Sequence, residues 1–205
     1  MRRIAFTLAL ALGLSPVGAF PGSYQPKGYS APNAPAPPQE PVETSPARRI
    51  DRLYQRLAKT RYPDEAAGIL GEIDRERAQS GSDAADLLYG RAQKARASAN
   101  LPLALQLYDA VLALDPAWSE AWSARATARF QSGDLKGAMA DLAQTLKREP
   151  RDVGALAGLG AILLDSGEPE AALRAYDRAL ALAPALAPLQ EARARAQTQA
   201  WSRAP

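Results

Sequence analysis

The sequence holds no cysteine and no histidine. These two absences remove thiol nucleophiles, disulfides, imidazole bases and nearly every type of zinc site. Aromatic residues are scarce at 6%, while alanine and leucine are abundant, a balance that favours helix over sheet. No block of one charge sign occurs either: the whole chain has 25 Lys and Arg against 22 Asp and Glu, and the two signs interleave from Arg48 to Arg195. The net charge is +3, and setting aside Arg2 and Arg3 leaves +1. A nucleic-acid footprint needs a clustered basic patch or stripe, so no nucleic-acid partner is expected. Long apolar runs are also missing. The most apolar stretch, Ile4 to Leu14, is about half of the roughly 20 residues a spanning helix needs.

That stretch reads instead as part of a secretory signal peptide over residues 1–19. Arg2 and Arg3 form its positive start, Ser15 and Pro16 break the apolar run, and Val17-Gly18-Ala19 supplies the small residues a signal peptidase reads. The mature chain is expected to begin at Phe20 and to be periplasmic or secreted, with no stable membrane span. No cysteine follows the apolar run, which excludes a bacterial lipoprotein anchor. Residues 20–46 form a Pro-rich linker, with eight of the seventeen prolines between Pro21 and Pro46. Such a segment is predicted to be extended, polyproline-like and disordered. Pro32, Pro35 and Pro38 have PxxP spacing, which suits a docking peptide or a plain spacer.

Beyond the linker the chain repeats itself. Pro116, Pro150 and Pro184 are 34 apart, as are Ala104, Ala138 and Ala172. The same period links Tyr108, Leu142 and Tyr176; Leu88, Trp122 and Leu156; and Ala92, Ala126 and Gly160. Gly133 and Gly167 continue it. Each column has a physical task. In residues 119–152 a first helix runs from about Glu120 to Gln131, and Gly133 closes it in the left-handed conformation many helix ends need. A second helix runs from about Leu135 to Lys147, and Pro150 ends it, because the residue before a proline is disfavoured in helix. Ala126 and Ala138 are small so that the two helices approach closely, with Trp122 and Leu142 filling the space beside them.

This pattern resembles the tetratricopeptide-repeat (TPR) family. The third copy matches best, through Leu156, Leu159-Gly160, Gly167, Ala172, Tyr176, Ala179 and Pro184. The second departs at Arg125, Arg129 and Thr145. The first has Arg91, Ala95 and Ala99 where Leu, Tyr and Gly are usual, and looser packing between its paired helices is expected. The resemblance implies an all-α fold, a right-handed α-solenoid of helical hairpins, with three repeats over residues 85–186 (85–118, 119–152 and 153–186). Residues 47–84 read as a divergent helical hairpin, with Ile50, Leu53, Tyr54 and Leu57 on one face and Ile69, Leu70 and Ile73 inward. Residues 187–205 read as a C-terminal capping helix and tail, of the polar kind solenoids need at their ends. The layout is also similar to small exported TPR proteins of Gram-negative bacteria.

Sites for chemistry are not apparent. Asp165, Glu168 and Glu170 flank the turn at Gly167, but Pro169 replaces the alternating oxygen ligands a metal loop requires. Glu72 and Glu76 stand beside Arg75 and Arg77 and read as a solvated face. Gly158-Leu159-Gly160 has neither the preceding strand nor the basic residue of a phosphate loop. No enzyme activity, metal or cofactor is therefore expected. The resemblance implies a concave groove lined by the first helix of each repeat. It would comprise Tyr89, Gln93 and Arg96, then Ser123, Thr127 and Phe130, then Ala157, Ala161 and Leu164. These residues either bind an extended or helical segment or simply cover the inner wall. The family's best-known groove clamps a terminal carboxylate with several Lys, Arg and Asn, whereas this face offers only Arg96. The leading reading is a protein–protein interaction module or scaffold of the cell envelope, with a protein or peptide partner. The alternative is a self-assembling homo-oligomer whose repeats stack or dimerise, and a third is an accessory part of an enzyme complex.

Overall fold

The computed structural model describes residues 45–202. The expected signal peptide, and the linker as far as residue 44, lie outside the described residues. Nine helices and no strand occur among the described residues: α1 (Pro46–Lys59), α2 (Pro63–Arg77), α3 (Asp83–Ala97), α4 (Leu101–Leu114), α5 (Ser119–Gln131), α6 (Leu135–Arg148), α7 (Val153–Asp165), α8 (Pro169–Leu182) and α9 (Ala187–Trp201). Consecutive helices from α3 to α9 pack on one another in chain order, the mark of an all-α helical-hairpin solenoid.

Local chemistry sets the helix boundaries. Ser82, Asn100, Asp134 and Asp152 each accept a backbone N–H from the first turn of the helix they precede. Between paired helices the chain turns through a left-handed residue: Gly133 at φ +84° and Gly167 at φ +79°. In the first repeat Ala99 takes that place, at φ +57°. Inside each pair, small residues let the helices meet. Ala92, Ala104, Ala138 and Ala172 are fully buried, and at Gly160 an added Cβ would lie 2.7 Å from the Tyr176 ring.

The two arginines of the second repeat are explained by a residue that the repeat pattern does not mark. Asp141 on α6 is buried, and Arg125 grips it with two hydrogen bonds of 2.9 and 2.8 Å. Arg129 adds a contact of 3.0 Å. A bidentate guanidinium–carboxylate pair thus fills the space that Leu and Tyr fill in the resembled pattern. Trp122 packs instead against the core of the first repeat, with the Arg125 and Arg148 guanidiniums 4.8 and 4.9 Å from its ring. The looser first repeat does not materialise. Tyr108 is fully buried, and Tyr89 turns inward against Tyr108 and Trp118, at 5.9 and 4.6 Å between ring centroids.

The N-terminal hairpin does not stack in front of the first repeat. Helix α1 packs on α8, and α2 has no comparable packing against α3. Leu53, Tyr54, Leu57, Ile69 and Ile73 share one core with Val153, Leu156 and Tyr176 of the third repeat. Polar links hold the hairpin over the N-terminal ends of α5 and α7. The Arg77 guanidinium reaches Asp152 at 2.6 Å and Glu120 at 3.6 Å, and the Trp118 indole N–H donates to the Arg77 carbonyl at 2.9 Å. Arg151 stacks on Tyr54 at 4.4 Å and pairs with Asp51 at 2.7 Å.

Candidate functional site

A cavity of about 290 Å³ opens between helices α5 and α7, the first helices of the second and third repeats. Ser123, Ala126, Thr127 and Phe130 come from α5, Gly154, Gly158, Ala161 and Ile162 from α7, and Leu142 from α6. The space exists because two α7 residues have no side chain. A Cβ at Gly158 would meet only Leu142, at 3.6 Å, which is ordinary contact. The lining is chiefly apolar. The Thr127 hydroxyl donates back to the Ser123 carbonyl at 3.1 Å, so it does not compete for a ligand's acceptors. Phe130 stands at the end of α5 and is 42% exposed, unusual for a large apolar ring with a cavity beside it.

Of the nine residues expected to line the groove, the structure brings Ser123, Thr127, Phe130 and Ala161 to this cavity. Ala157 packs instead against the core shared with the N-terminal hairpin. Leu164 lines a separate, wider recess with Asp165 and the α9 residues Ala194, Arg195 and Thr198. The three first-repeat residues form a closed polar network. Gln93 donates to the Tyr89 hydroxyl at 2.8 Å and accepts from the Tyr108 hydroxyl at 3.1 Å and from Arg96 at 3.0 Å. Tyr89 donates onward to Glu120 at 3.3 Å and is only 7% exposed, so it is a core residue rather than a wall of the groove. Burial raises the pKa of Tyr89, and the Glu120 carboxylate raises it further, which keeps the phenol neutral. Arg96 is half-buried, and its guanidinium is oriented by Gln93. Gly154 and Gly158 are absent from the sequence-based list, since residues without side chains are invisible to a search for contact groups. Three glycines in one apolar helix, with Gly160, were the available signal.

Among the described residues, no group of three carboxylates, or of other metal-ligating side chains, stands close enough to hold an ion. No helix among them is long and apolar enough to cross a membrane.

Stacked helical hairpins with a small apolar cavity between the first helices of two repeats define a class of helical repeat protein. A tetratricopeptide-repeat model matches residues 129–196. A TPR repeat-containing protein of Rhizobium etli is 39% identical over 153 residues, which is 75% of this chain and 75% of that protein. The chain belongs to the tetratricopeptide-repeat family. Solved structures share the fold at lower identity. The first TPR of Spaghetti (RPAP3), bound to the HSP90 peptide SRMEEVD, is 21% identical, with a TM-score of 0.55 over 58% of this chain and 93% of that one. The TPR2B domain of yeast Sti1, in its pHsp70 complex, is 19% identical, with a TM-score of 0.54 over 58% and 99%. The Yersinia enterocolitica chaperone SycD, in complex with a peptide of the translocator YopD, is 19% identical, with a TM-score of 0.52 over 59% and 92%.

Proposed function

We propose that this chain is a protein–protein interaction module of the cell envelope that binds a partner segment on the inner face of its second and third repeats. The observation that carries the reading is the cavity between α5 and α7, open beside an exposed Phe130. Its volume suits one or two aliphatic or aromatic side chains of an extended or helical peptide. The peptide complexes of Spaghetti and SycD support a peptide as the class of ligand. Arg96, the cation expected on this face, would add one bidentate contact to an acidic residue. It lies outside the cavity lining, so apolar anchoring dominates.

The glycine floor gives a test with readouts of opposite sign. Gly158→Ala narrows the cavity without a clash, and should stabilise α7 by up to about 1 kcal/mol. The same change should weaken capture of a partner peptide. Phe130→Ala should weaken binding by about 1–2 kcal/mol and Arg96→Ala by no more than that. Arg174→Ala, on an exposed stretch of α8, should leave it unchanged. Titration calorimetry with a peptide selected from a displayed library reads all four. Binding that survives Gly158→Ala and Phe130→Ala, yet is lost with Arg174→Ala, would move the function off the inner face.

Placement in the envelope rests on residues 1–19. The exported chain is expected to begin at Phe20, which intact-mass measurement of an envelope fraction checks. A chain recovered with Met1 intact contradicts it.

A further inference from the structure

Repeat register identifies the face of a first helix that meets the preceding repeat. On α5 that face carries Ala121 and Ala128, and on α7 Ala155 and Ile162, all of them buried. One repeat earlier the same positions are Leu87 and Lys94, and both are exposed, Leu87 at 58%. Between them Gly90 has no atom within 4 Å of where a Cβ would stand. The first repeat lacks a preceding neighbour because the α1–α2 hairpin is docked on the third repeat. Leu103 and Leu114 on α4 are exposed as well. Three of the six large apolar side chains most exposed among the described residues therefore belong to this one repeat. A solenoid repeat normally hides the Leu87 face of its first helix under its neighbour.

We propose that a second copy of the chain covers this face, with α3 packed antiparallel on the partner's α3 about a two-fold axis. The charges on α3 are self-complementary in that arrangement. Asp83 and Asp86 stand in its first turn, and Arg91 and Lys94 lie toward its other end. A single antiparallel register sets Asp83 against the partner's Lys94, with Leu87 and Gly90 at the centre of the contact. The two-fold axis repeats the ion pair. Leu87 then fills the space that Gly90 leaves open, and rows of residues four apart on each helix face one another, a common mode of helix packing. No ion pair within the described chain engages Asp83, Arg91 or Lys94. A parallel pairing would bring like charges together. Head-to-tail stacking of α3 on α9 would propagate into open-ended oligomers, which sedimentation equilibrium distinguishes from a closed dimer.

Sedimentation equilibrium of the full chain over a range of concentrations tests the pairing. The expected result is a reversible dimer for wild type and a monomer for Leu87→Glu. Lys94→Glu should weaken the dimer by about tenfold, and adding Asp83→Lys to the same chain should restore it to within about threefold. The sequence has no cysteine, so a single Leu87→Cys thiol gives an independent readout: a short bismaleimide should link two chains only under conditions where the dimer forms. Unchanged thermal melts would show that the variants still fold, and Phe130→Ala should dimerise as wild type does, which separates this surface from the inner cavity. A chain that is monomeric at every concentration, or a dimer indifferent to Leu87→Glu, overturns the proposal. A double variant no better than Lys94→Glu alone overturns the antiparallel register.

Discussion

Ala99 and Gly160 show how a single Cβ decides the fit of a repeat, with opposite signs. Ala99 holds a left-handed backbone at φ +57° where the two later repeats have Gly133 and Gly167. A side chain in that region costs roughly 1–2 kcal/mol, and glycine's extra freedom in the unfolded chain returns about half of it. Ala99→Gly should therefore stabilise the protein by about 0.5–1 kcal/mol. Gly160→Ala should do the reverse. Its new methyl would lie 2.7 Å from the Tyr176 ring, which is buried and has no room to retreat, so a loss of about 1–3 kcal/mol is expected. Urea melts of the two variants check both signs. These positions were legible in the sequence, because the 34-residue register lines up Ala99 with two glycines and Gly160 with two alanines. Asp141 was not. It has Leu107 and Ala175 as its counterparts, so the column gives no hint that a carboxylate there answers Arg125 and Arg129 across the helix pair.

At the scale of elements, every helix expected from periodicity occurs within a few residues of its expected bounds, since caps and prolines are local signals. Where the first hairpin docks is not local, and register said nothing about it. The determinants are charged groups far apart in sequence: Arg77 of α2 meets Glu120 at the start of α5 and Asp152 at the start of α7. Burial raises the pKa of Glu120, Arg77 opposes that rise, and Asp152 and Asp74 push it up again, leaving it above the ordinary glutamate value. A carboxyl with a raised pKa in the folded state takes up its proton there first. Glu120 thus adds stability as pH falls through its raised pKa toward about 4.3, and withdraws it toward neutrality. The stability of wild type relative to Glu120→Gln should move in wild type's favour as pH is lowered from 7 to about 4. Carboxylates remote from Glu120 are common to both proteins and cancel. Urea midpoints across that range test the trend, and movement in the other direction would mean that Arg77 outweighs burial. The candidate site divides along the same line. Ser123, Thr127, Phe130 and Ala161 follow from helix register, whereas Tyr89 is drawn inward by Trp118, which the repeat pattern does not mark.

For the whole molecule, the docked hairpin changes how the solenoid holds together. In a plain array each repeat touches only its neighbours, so repeats open one by one from the ends. Here Asp51 pairs with Arg151 across 100 residues of sequence, and Arg77 joins α2 to the starts of α5 and α7 through Glu120 and Asp152. Opening the second or third repeat therefore requires either that the hairpin be undocked or that Arg77 be left buried without its carboxylates. Breaking a buried pair by removing one partner costs about 3–5 kcal/mol, which is comparable with the stability of a domain of this size. The wild-type chain should then unfold in one cooperative step, with fluorescence of Trp118 and helical circular dichroism changing together. Arg77→Leu removes the guanidinium and strands Asp152, although Asp152 still caps α7 by accepting the Ala155 N–H at 2.8 Å. That variant should lose the coincidence. With Trp122 and Trp201 both replaced by Phe, the Trp118 signal, which reports the junction of α2 with α5, should move to lower urea than the circular dichroism of the remaining helices, and amide exchange should quicken in α1 and α2 first. Two probes that still coincide in Arg77→Leu, at whatever stability, would show that the shared core of Leu57, Ile69 and Leu156 couples the hairpin to the repeats without the buried charges.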